Sequence, residues 1–314
     1  MPSNSAQALA GLTTEGANPS SVELDNLSAL EIARLINSED AKVAAAVARV
    51  LPEITMAIDA VAAAIGNGGR LIYVGAGTSG RIAALDASEC PPTFNTDPKT
   101  VQFVMAGGTK ALYSATEASE DDPKLGRRDI AAKKPTRKDV VVGLAASGRT
   151  PYTIAALQYA RSKGAKTVAI VCNSGSPLAR AAGIAIEVEV GPEVLAGSTR
   201  MKAGTAQKLV CNMLTTGAMA RLGLVYGNLM VNVHLKNKKL VERGVRILQQ
   251  AAGVEREVAL KALKKAKRRV PVVLIMLMTG ASAAEAEKRL RAANRNVRRA
   301  IESARADQRK SQKS

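Results

Sequence analysis

Residues 71–81, Leu71-Ile-Tyr-Val-Gly-Ala-Gly-Thr-Ser-Gly-Arg81, decide the fold of this 314-residue chain. The apolar run at their start predicts a buried strand. The glycine-rich turn after it leads into Ile82-Ala-Ala-Leu85, which begins a helical pattern. A helix that starts directly after a strand points its backbone N–H groups and the positive end of its dipole at the turn. The stretch therefore predicts an anion-binding turn, to which Thr78 and Ser79 add hydroxyl donors.

The glycines of this turn also fit the dinucleotide-binding fingerprint G-x-G-x-x-G, as Gly75, Gly77 and Gly80. That fingerprint requires an acidic residue about 20 positions later, at the end of the next strand, to hold a ribose. The next predicted strand, Thr100–Met105, is followed by Ala106-Gly-Gly without a carboxylate. The sequence therefore favours a small phosphorylated ligand over a dinucleotide.

A second stretch, Asp139–Thr150, repeats this arrangement. Its valine-rich strand runs into the tripeptide Ser-Gly-Arg, as the first strand does, and a helical pattern follows. Two such turns at the carboxyl ends of parallel strands flank a crevice in an open α/β sheet. The sequence leaves open the alternative that each serine only caps its own helix. We expect Ser147, Gly148 and Thr150 to bind the same phosphate as the first turn.

Five strand patterns, each followed by a helical pattern, predict an α/β fold with a doubly wound parallel sheet. Apolar residues at helical spacing precede the sheet and follow it, and predict N-terminal helices and a small C-terminal helical domain. We expect three regions: N-terminal helices in residues 1–60, the sheet domain in 61–230, and the helical domain in 231–314, ending in a disordered tail from Asp307.

The chain is basic, with 45 Lys+Arg against 27 Asp+Glu, and the excess lies at its C-terminal end. Residues 231–314 contain 22 Lys+Arg and 7 Asp+Glu, so the preceding residues are nearly neutral. A basic segment suggests nucleic acid, but this one has no Phe, Tyr or Trp on which single-stranded bases could stack. We interpret the charge as a solvated helical face and do not expect nucleic acid as a partner.

Three widely spaced cysteines, Cys90, Cys172 and Cys211, fit reduced thiols in a cytoplasm. The single histidine, His234, excludes a multi-histidine metal site and weakens any Ser-His-Asp scheme, so we expect neither a metal nor a cofactor. The N-terminus lacks the basic start and apolar run of a signal peptide. The longest apolar segment, 272–278, is far shorter than the ~20 residues of a membrane helix. We expect a cytoplasmic protein without membrane contact.

Three motifs resemble those of a known family: Ala87-Ser-Glu-Cys-Pro-Pro92, Ala146-Ser-Gly-Arg-Thr-Pro-Tyr152 and Gly197-Ser-Thr-Arg-Met-Lys-Ala-Gly-Thr-Ala-Gln-Lys208. The second is similar to the phosphate loop of the sugar isomerase (SIS) fold, which binds phosphosugars. Together they resemble the N-acetylmuramic acid 6-phosphate etherases, from Thr14-Glu15-Gly16 to Val231. After Val231 the chain departs from these enzymes, so the role of its C-terminal domain stays open.

The resemblance implies a carbon–oxygen lyase that cleaves the D-lactyl ether of N-acetylmuramic acid 6-phosphate in cell-wall sugar catabolism. It implies Glu89 as the acid and Glu120 as the base that takes the C2 proton, with the division of steps between them left open. It also implies Ser198 and Thr199 as substrate-binding residues.

The position of Glu89 leads us to expect a homodimer with a shared active site. We expect the helix after the first turn to stop before Pro91-Pro92, with Glu89 at its end. If residues 81–88 are helical, Glu89 lies about 12 Å along the axis from its own phosphate turn. A sugar does not easily bridge that gap unless the chain doubles back or a neighbouring subunit supplies the carboxylate.

Two other functions stay open on the sequence. A non-catalytic phosphosugar sensor would use the same turns, but transcription factors with this fold usually carry a helix-turn-helix before it, and the N-terminal helices here are apolar and weakly charged. An aldose–ketose isomerase often opens the sugar ring with a histidine, and His234 lies outside the predicted sheet domain. Both observations favour the etherase.

Overall fold

The computed structural model describes residues 12–114, 119–235 and 237–311. The chain forms two compact units. The first contains the chain up to Ser88 together with Pro98–Thr215, and the second contains Glu89–Asp97 and the chain from Thr216 on. Each unit has an apolar core of its own.

The first unit is built on a parallel sheet of five strands: β1 (Leu71–Gly75), β2 (Val101–Met105), β3 (Val140–Leu144), β4 (Lys166–Val171) and β5 (Ile184–Glu187). Its strand order is β2-β1-β3-β4-β5, and every neighbouring pair is parallel. The helices are α1 (Ala29–Ala48), α2 (Leu51–Gly66), α3 (Gly77–Phe94), α4 (Pro123–Ala132), α5 (Pro151–Ser162), α6 (Pro177–Ala181) and α7 (Lys202–Arg221). The predicted doubly wound α/β fold is confirmed.

The strand order places β1 beside β3, with Gly75 opposite Leu144 in the register. The chain leaves β1 towards β2 on one side of the sheet and leaves β3 towards β4 on the other. Connections that diverge in this way leave a crevice at the carboxyl ends of the two strands, where open α/β sheets bind ligands. Both predicted phosphate turns follow these two strands, so the sheet brings them together.

Helix α3 runs through Pro91 and Pro92 to Phe94, so the predicted stop before the prolines is wrong. Each proline removes a backbone donor and crowds the carbonyl four residues earlier, which costs free energy. Cys90 and Phe94, one turn apart, are only 2% and 5% exposed. Burial of this apolar face offsets the cost of the prolines. Glu89 therefore lies within the helix and not at its end.

The second unit is helical, as predicted, with α8 (Lys238–Ala252), α9 (Arg256–Lys265), α10 (Val270–Thr279), α11 (Ala283–Ala292) and α12 (Val297–Ser311). The predicted disordered tail is wrong for residues 307–311, since α12 continues to Ser311, and 312–314 lie outside the described residues. Arg289 Nη1 lies 2.8 Å from Asp307 Oδ2, and Gln308 Nε2 donates to Thr279 O at 2.6 Å. These contacts hold the last turns of α12.

None of the helices in the described ranges is by itself long and apolar enough to cross a membrane. The consecutive helices α10 and α11 reach the required length and composition only as a pair, and they are bent by 108° relative to each other.

Candidate functional site

The first predicted phosphate turn leads from β1 directly into α3. Thr78 and Ser79 lie in the first turn of α3, Thr78 half-buried and Ser79 only 8% exposed. A Cβ on Gly75 would lie 2.9 Å from the backbone nitrogen of Gly80, which is too close for any side chain. The two glycines therefore allow the end of the strand and the start of the helix to meet.

The second turn leads from β3 into α5, and Ser147 does not cap the helix that follows it. The N-cap residue of α5 is Thr150, whose side chain makes no capping hydrogen bond. Ser147 Oγ instead accepts a hydrogen bond of 3.2 Å from the Arg149 N–H inside the turn. Gly148 has φ +67°, and a Cβ there would lie 2.2 Å from Ser176 Oγ. Ser147 is therefore not the cap of its own helix, and Gly148 is the residue that the turn requires.

Glu120 lies near the starts of both helices that follow the turns. Its Oε2 lies 4.0 Å from the position that a Cβ would take on Gly77, the first residue of α3. Its backbone carbonyl accepts a hydrogen bond of 3.0 Å from the N–H of Tyr152, in the first turn of α5. The side chain is half-buried. The structure thus places Glu120, one of the two carboxylates singled out in the sequence, beside the crevice between the two predicted phosphate turns.

Glu89 is exposed and lies in the second unit, on the same helix that starts at the first turn. It follows Gly77 by twelve positions in α3. At the rise of an α-helix this separation corresponds to about 18 Å along the axis. Along its own helix Glu89 is thus well separated from the phosphate turn, as the sequence predicts.

The third motif, 197–208, meets the first turn. A Cβ on Gly204, near the start of α7, would lie 3.6 Å from Thr78 Cγ2 and 3.8 Å from Thr199 O. One turn further along α7, Gln207 Oε1 accepts a buried hydrogen bond of 2.9 Å from Ser79 Oγ. Ser198 and Thr199 are half-buried in the loop before the helix. Packing across α3 and α7 therefore joins two motifs that lie more than 100 residues apart.

The N-terminal segment lies beside the second turn and the third motif. Asn173 Nδ2 donates to Ala146 O at 3.0 Å and to Thr14 Oγ1 at 2.9 Å. Glu15 Oε2 lies 3.5 Å from the Cβ position of Gly197. The start of the stretch that resembles the etherases is thus part of the same region of the first unit.

Sequence reasoning missed the buried carboxylate of Asp86 on α3. Asp86 is 4% exposed and accepts hydrogen bonds from Tyr73 Oη at 2.9 Å, Asn212 Nδ2 at 2.8 Å and Thr215 Oγ1 at 3.2 Å. Burial raises the pKa of Asp86, although the three hydrogen bonds oppose the rise. In the sequence, Asp86 is the one acidic residue within the otherwise apolar run 82–87, and this position is the sign of a buried carboxylate. The network ties β1, α3 and α7 together.

Protein carboxylates occupy the start of α7. Glu193 accepts from the first two backbone N–H groups of the helix, at 2.9 and 3.0 Å. The buried side chain of Lys202 places its Nζ 2.6 Å from Glu39 Oε2. Burial alone would raise the pKa of Glu39, but hydrogen bonds from Lys202, Lys42 and Asn18 lower it to about 2. The helix N-terminus and Lys202 are therefore engaged within the protein.

Burial keeps two cysteine thiols protonated. It raises the pKa of Cys172 to about 12, with a further contribution from Glu193, and it raises the pKa of Cys211 well above its usual value. Neither thiol is suited to nucleophilic attack. Within residues 12–114, 119–235 and 237–311, no three His, Cys, Asp or Glu side chains are grouped so that they could hold a metal ion.

Comparisons with known proteins extend over both units, so the expectation that the likeness to the etherases ends at Val231 is wrong. Residues 53–161 match the glucokinase regulatory protein N-terminal SIS domain, and residues 132–217 match the SIS domain. An N-acetylmuramic acid 6-phosphate etherase of Aeromonas hydrophila is 54% identical over 286 residues, which are 91% of this chain and 96% of that protein. N-acetylmuramic acid 6-phosphate etherase 2 of Vibrio parahaemolyticus is 52% identical over 93% of this chain and 98% of its own length.

A solved structure of a phosphoheptose isomerase from Francisella tularensis shares the fold. Its TM-score is 0.51 at 18% sequence identity, and the match covers 62% of this chain and 100% of that one.

Proposed function

The chain belongs to the N-acetylmuramic acid 6-phosphate etherase family, and on this premise we propose that it cleaves the D-lactyl ether of N-acetylmuramic acid 6-phosphate. The products are N-acetylglucosamine 6-phosphate and D-lactate, and the enzyme is a carbon–oxygen lyase of cell-wall sugar catabolism. The observation that carries the proposal is identity above 50% over more than nine-tenths of both chains. The resemblance seen in the three sequence motifs is thereby confirmed.

In this proposal the 6-phosphate binds between the two turns. Backbone N–H groups and the hydroxyls of Thr78 and Ser79 contribute from the β1 side. Ser147, Gly148 and Thr150 contribute from the β3 side. The adjacency of β1 and β3 and the two helices that begin at the turns support this assignment. Ser198 and Thr199 then contact the substrate from the loop before α7.

The chemistry requires one group that removes protons and one group that donates them. Ring opening to the aldehyde acidifies the C2 hydrogen, and a base removes this proton. The C3–O bond then breaks, and an acid protonates the departing lactate oxygen. Water adds to C3 of the unsaturated sugar, and a proton returns to C2. A positioned acid and a positioned base each contribute typically about 10²–10⁴-fold, so two carboxylates suffice for the reaction.

We assign Glu120 as the base at C2 and Glu89 as the acid that also activates the water. The contact of Glu120 with Gly77 and the hydrogen bond of its carbonyl to Tyr152 support its part, because both tie it to the phosphate turns. Glu89 is assigned by its place in the Ala-Ser-Glu-Cys-Pro-Pro motif, and its exposure is compatible with a role towards an external ligand.

We propose further that the enzyme is a homodimer in which Glu89 acts on the substrate held by the other subunit. Helix α1 supports a self-association, because its only buried residues are Glu39, Val43, Ala46 and Val47. Its first turns carry Leu30, which is 59% exposed, and half-exposed Leu35 and Ile36. An apolar helix face without a core is marginal in water, and a second copy would bury it.

The test of the function is incubation with N-acetylmuramic acid 6-phosphate in D₂O. Wild type should release D-lactate and leave deuterium at C2 of N-acetylglucosamine 6-phosphate. Glu120→Gln should lose exchange and release together, and Glu89→Gln should lose release while keeping part of the exchange. Ser162→Ala, on the surface of α5, is the control variant and should behave as wild type.

Two results would contradict the proposal. Lactate release without deuterium at C2 would exclude an elimination that exchanges with solvent. Binding of the phosphosugar without any chemical change would leave only a sensor, one of the two other functions that the sequence left open.

A further inference from the structure

The hydrogen bond between Ser79 and Gln207 poses a conflict for phosphate binding. A hydroxyl has a single proton, and Ser79 donates it to Gln207 Oε1 in the structure. A phosphate dianion offers acceptors only, so this proton is the one that Ser79 would have to give to the ligand. As long as it points to Gln207, Ser79 contributes to the anion through its backbone N–H alone.

Gln207 carries a second anomaly at the same place. The residue is fully buried, and its Nε2 is one of three buried side-chain polar atoms in the described residues that make no hydrogen bond. A buried donor without a partner is rare and costly, whereas an acceptor with an unused lone pair is tolerated more easily. The amide orientation in the structure leaves the donor unpaired, and it is therefore the less favourable of the two orientations.

We propose that Gln207 is the positioning residue of the phosphate site and that its amide turns over when the anion binds. A rotation of 180° exchanges Oε1 and Nε2 without a change of shape. Nε2 then donates to Ser79 Oγ, and Ser79 donates its proton to a phosphate oxygen. The buried donor gains a partner, Oε1 becomes the unused acceptor, and the ligand gains a charge-assisted hydrogen bond.

The position of Gln207 on α7 supports this coupling. Gly204, one turn earlier on the same helix, packs against Thr78, the other hydroxyl residue of the turn. One face of α7 therefore lies against both hydroxyl residues of the first turn, and the Gln207 amide can both accept from and donate to Ser79. The inference rests on the proposed function, since it requires that the first turn binds phosphate.

The test compares Gln207→Glu with Gln207→Met in calorimetric binding of N-acetylglucosamine 6-phosphate. Methionine no longer holds the Ser79 proton, but it also lacks the donor that orients the Ser79 hydroxyl towards the phosphate. We therefore expect the phosphosugar to bind about two- to tenfold more weakly than to wild type. An ionised glutamate only accepts hydrogen bonds, so the Ser79 proton stays directed at its carboxylate, and a negative charge is added beside the phosphate. We expect the affinity to fall by about a hundredfold or more. Gln158→Glu, an exposed change of equal charge on α5, should bind as wild type.

Repulsion between the glutamate and the phosphate would by itself weaken phosphosugar binding, whatever the Ser79 proton does. Repeating the comparison in the Ser79→Ala background separates the repulsion from the effect of the proton. If the amide acts through the Ser79 proton, the difference between glutamate and methionine should shrink by about tenfold in that background. An equal difference in both backgrounds would overturn the proposal. So would a change in melting temperature for both Gln207 variants without any change in binding.

A measurement on the wild type covers the case in which the variants do not fold. In protein labelled with ¹⁵N at glutamine side chains, one of the two Nε2 protons of Gln207 should shift downfield when N-acetylglucosamine 6-phosphate is added. Unchanged resonances at saturation would reject the turnover. If wild type does not bind the phosphosugar, the proposed function fails. The proposed phosphate site stands if wild type binds the phosphosugar and Ser147→Ala weakens that binding. If Gln207 then shows no coupling to Ser79, only this inference fails.

Discussion

The Glu120 carboxylate lies beside Gly77, with its Oε2 4.0 Å from the Cβ position of that glycine. Gly77 has φ +52°, a conformation that strains any residue with a Cβ. The absence of a side chain at Gly77 therefore serves the backbone turn and also leaves the carboxylate accessible from the direction of the phosphate turn.

Gly77→Ala should lower kcat/KM for lactate release by about ten- to a hundredfold. The added methyl group takes up space at the phosphate turn, 4.0 Å from Glu120 Oε2, and displaces the groups that the turn positions. The strained backbone should lower the free energy of unfolding by about 1 kcal/mol. Gly68→Ala is the matched control, because Gly68 has φ +76° and no atom within 4 Å of its Cβ position. It should lose the same stability and keep the wild-type kcat/KM. An unchanged kcat/KM in Gly77→Ala would argue against a role for Glu120 at this turn.

Ser147→Ala should weaken phosphosugar binding by about ten- to a hundredfold. In the proposed site the variant removes one hydrogen bond to a charged ligand, and such a bond contributes roughly 1.5–3 kcal/mol. Calorimetric titration with N-acetylglucosamine 6-phosphate measures the effect. Ser162→Ala, at the far end of α5, should leave the affinity unchanged. An unaltered affinity in Ser147→Ala would show that the crevice between β1 and β3 is not the phosphate site.

The buried pair of Glu39 and Lys202 should make stability depend on acid pH. The pKa of Glu39 falls from its ordinary 4.5 to about 2 on folding, so its contribution is complete above pH 4.5 and is lost as the pH falls through 2. The shift corresponds to about 3 kcal/mol. We expect Glu39→Gln to lower the free energy of unfolding in urea by about that amount at neutral pH, and the difference from wild type to shrink as the pH falls below 4.

Lys42→Ala provides the control for this prediction. Lys42 also pairs with Glu39, but its side chain is 64% exposed, so its removal should cost less than about 1 kcal/mol. A constant difference between wild type and Glu39→Gln from neutral to acid pH would contradict the titration of the pair.

Mixing two impaired variants tests the proposed shared active site. Glu89 follows Gly77 by about 18 Å along α3, so we expect a subunit with intact Glu89 to complement one with intact phosphate turns. Glu89→Gln mixed with Ser147→Ala should recover part of the lactate release, measured after subunit exchange has been verified by mass. The activities of Glu89→Gln alone and of Ser147→Ala alone, at the same substrate concentration, serve as the baseline. No recovery after proven exchange would count against sharing.

The basic C-terminal domain should bind nucleic acid only weakly and without sequence preference. Most of the charges that the structure describes there lie on helices, and residues 231–314 contain no Phe, Tyr or Trp side chain. Any affinity should fall steeply as salt is raised, because it depends on the release of counterions. Fluorescence anisotropy with two oligonucleotides of equal composition and scrambled sequence, at low and physiological salt, measures this. A tight complex with only one of them at physiological salt would revive the sensor.

The sequence by itself determined the elements whose cause is local. A run of four or five apolar residues before a glycine-rich turn specifies a strand, and the helix that follows specifies an anion-binding turn, so both turns and the α/β fold were predicted. The motif around Glu89 and the segment with Ser147 were sufficient to identify the family. All of these signals lie within stretches of about a dozen residues.

Tertiary structure alone decided the relationships that cross the chain. The contact of Glu120 with Gly77, the pair of Glu39 with Lys202 and the bond of Ser79 to Gln207 join residues that lie between 43 and 163 positions apart. Burial of Cys90 and Phe94 also carried α3 through two prolines that local rules treat as a stop. Local propensity amounts to about 1–3 kcal/mol at a residue, and burial of a whole helix face exceeds it. Which helix faces become buried depends on how elements distant in the sequence are arranged in space, and no single stretch of sequence encodes that arrangement.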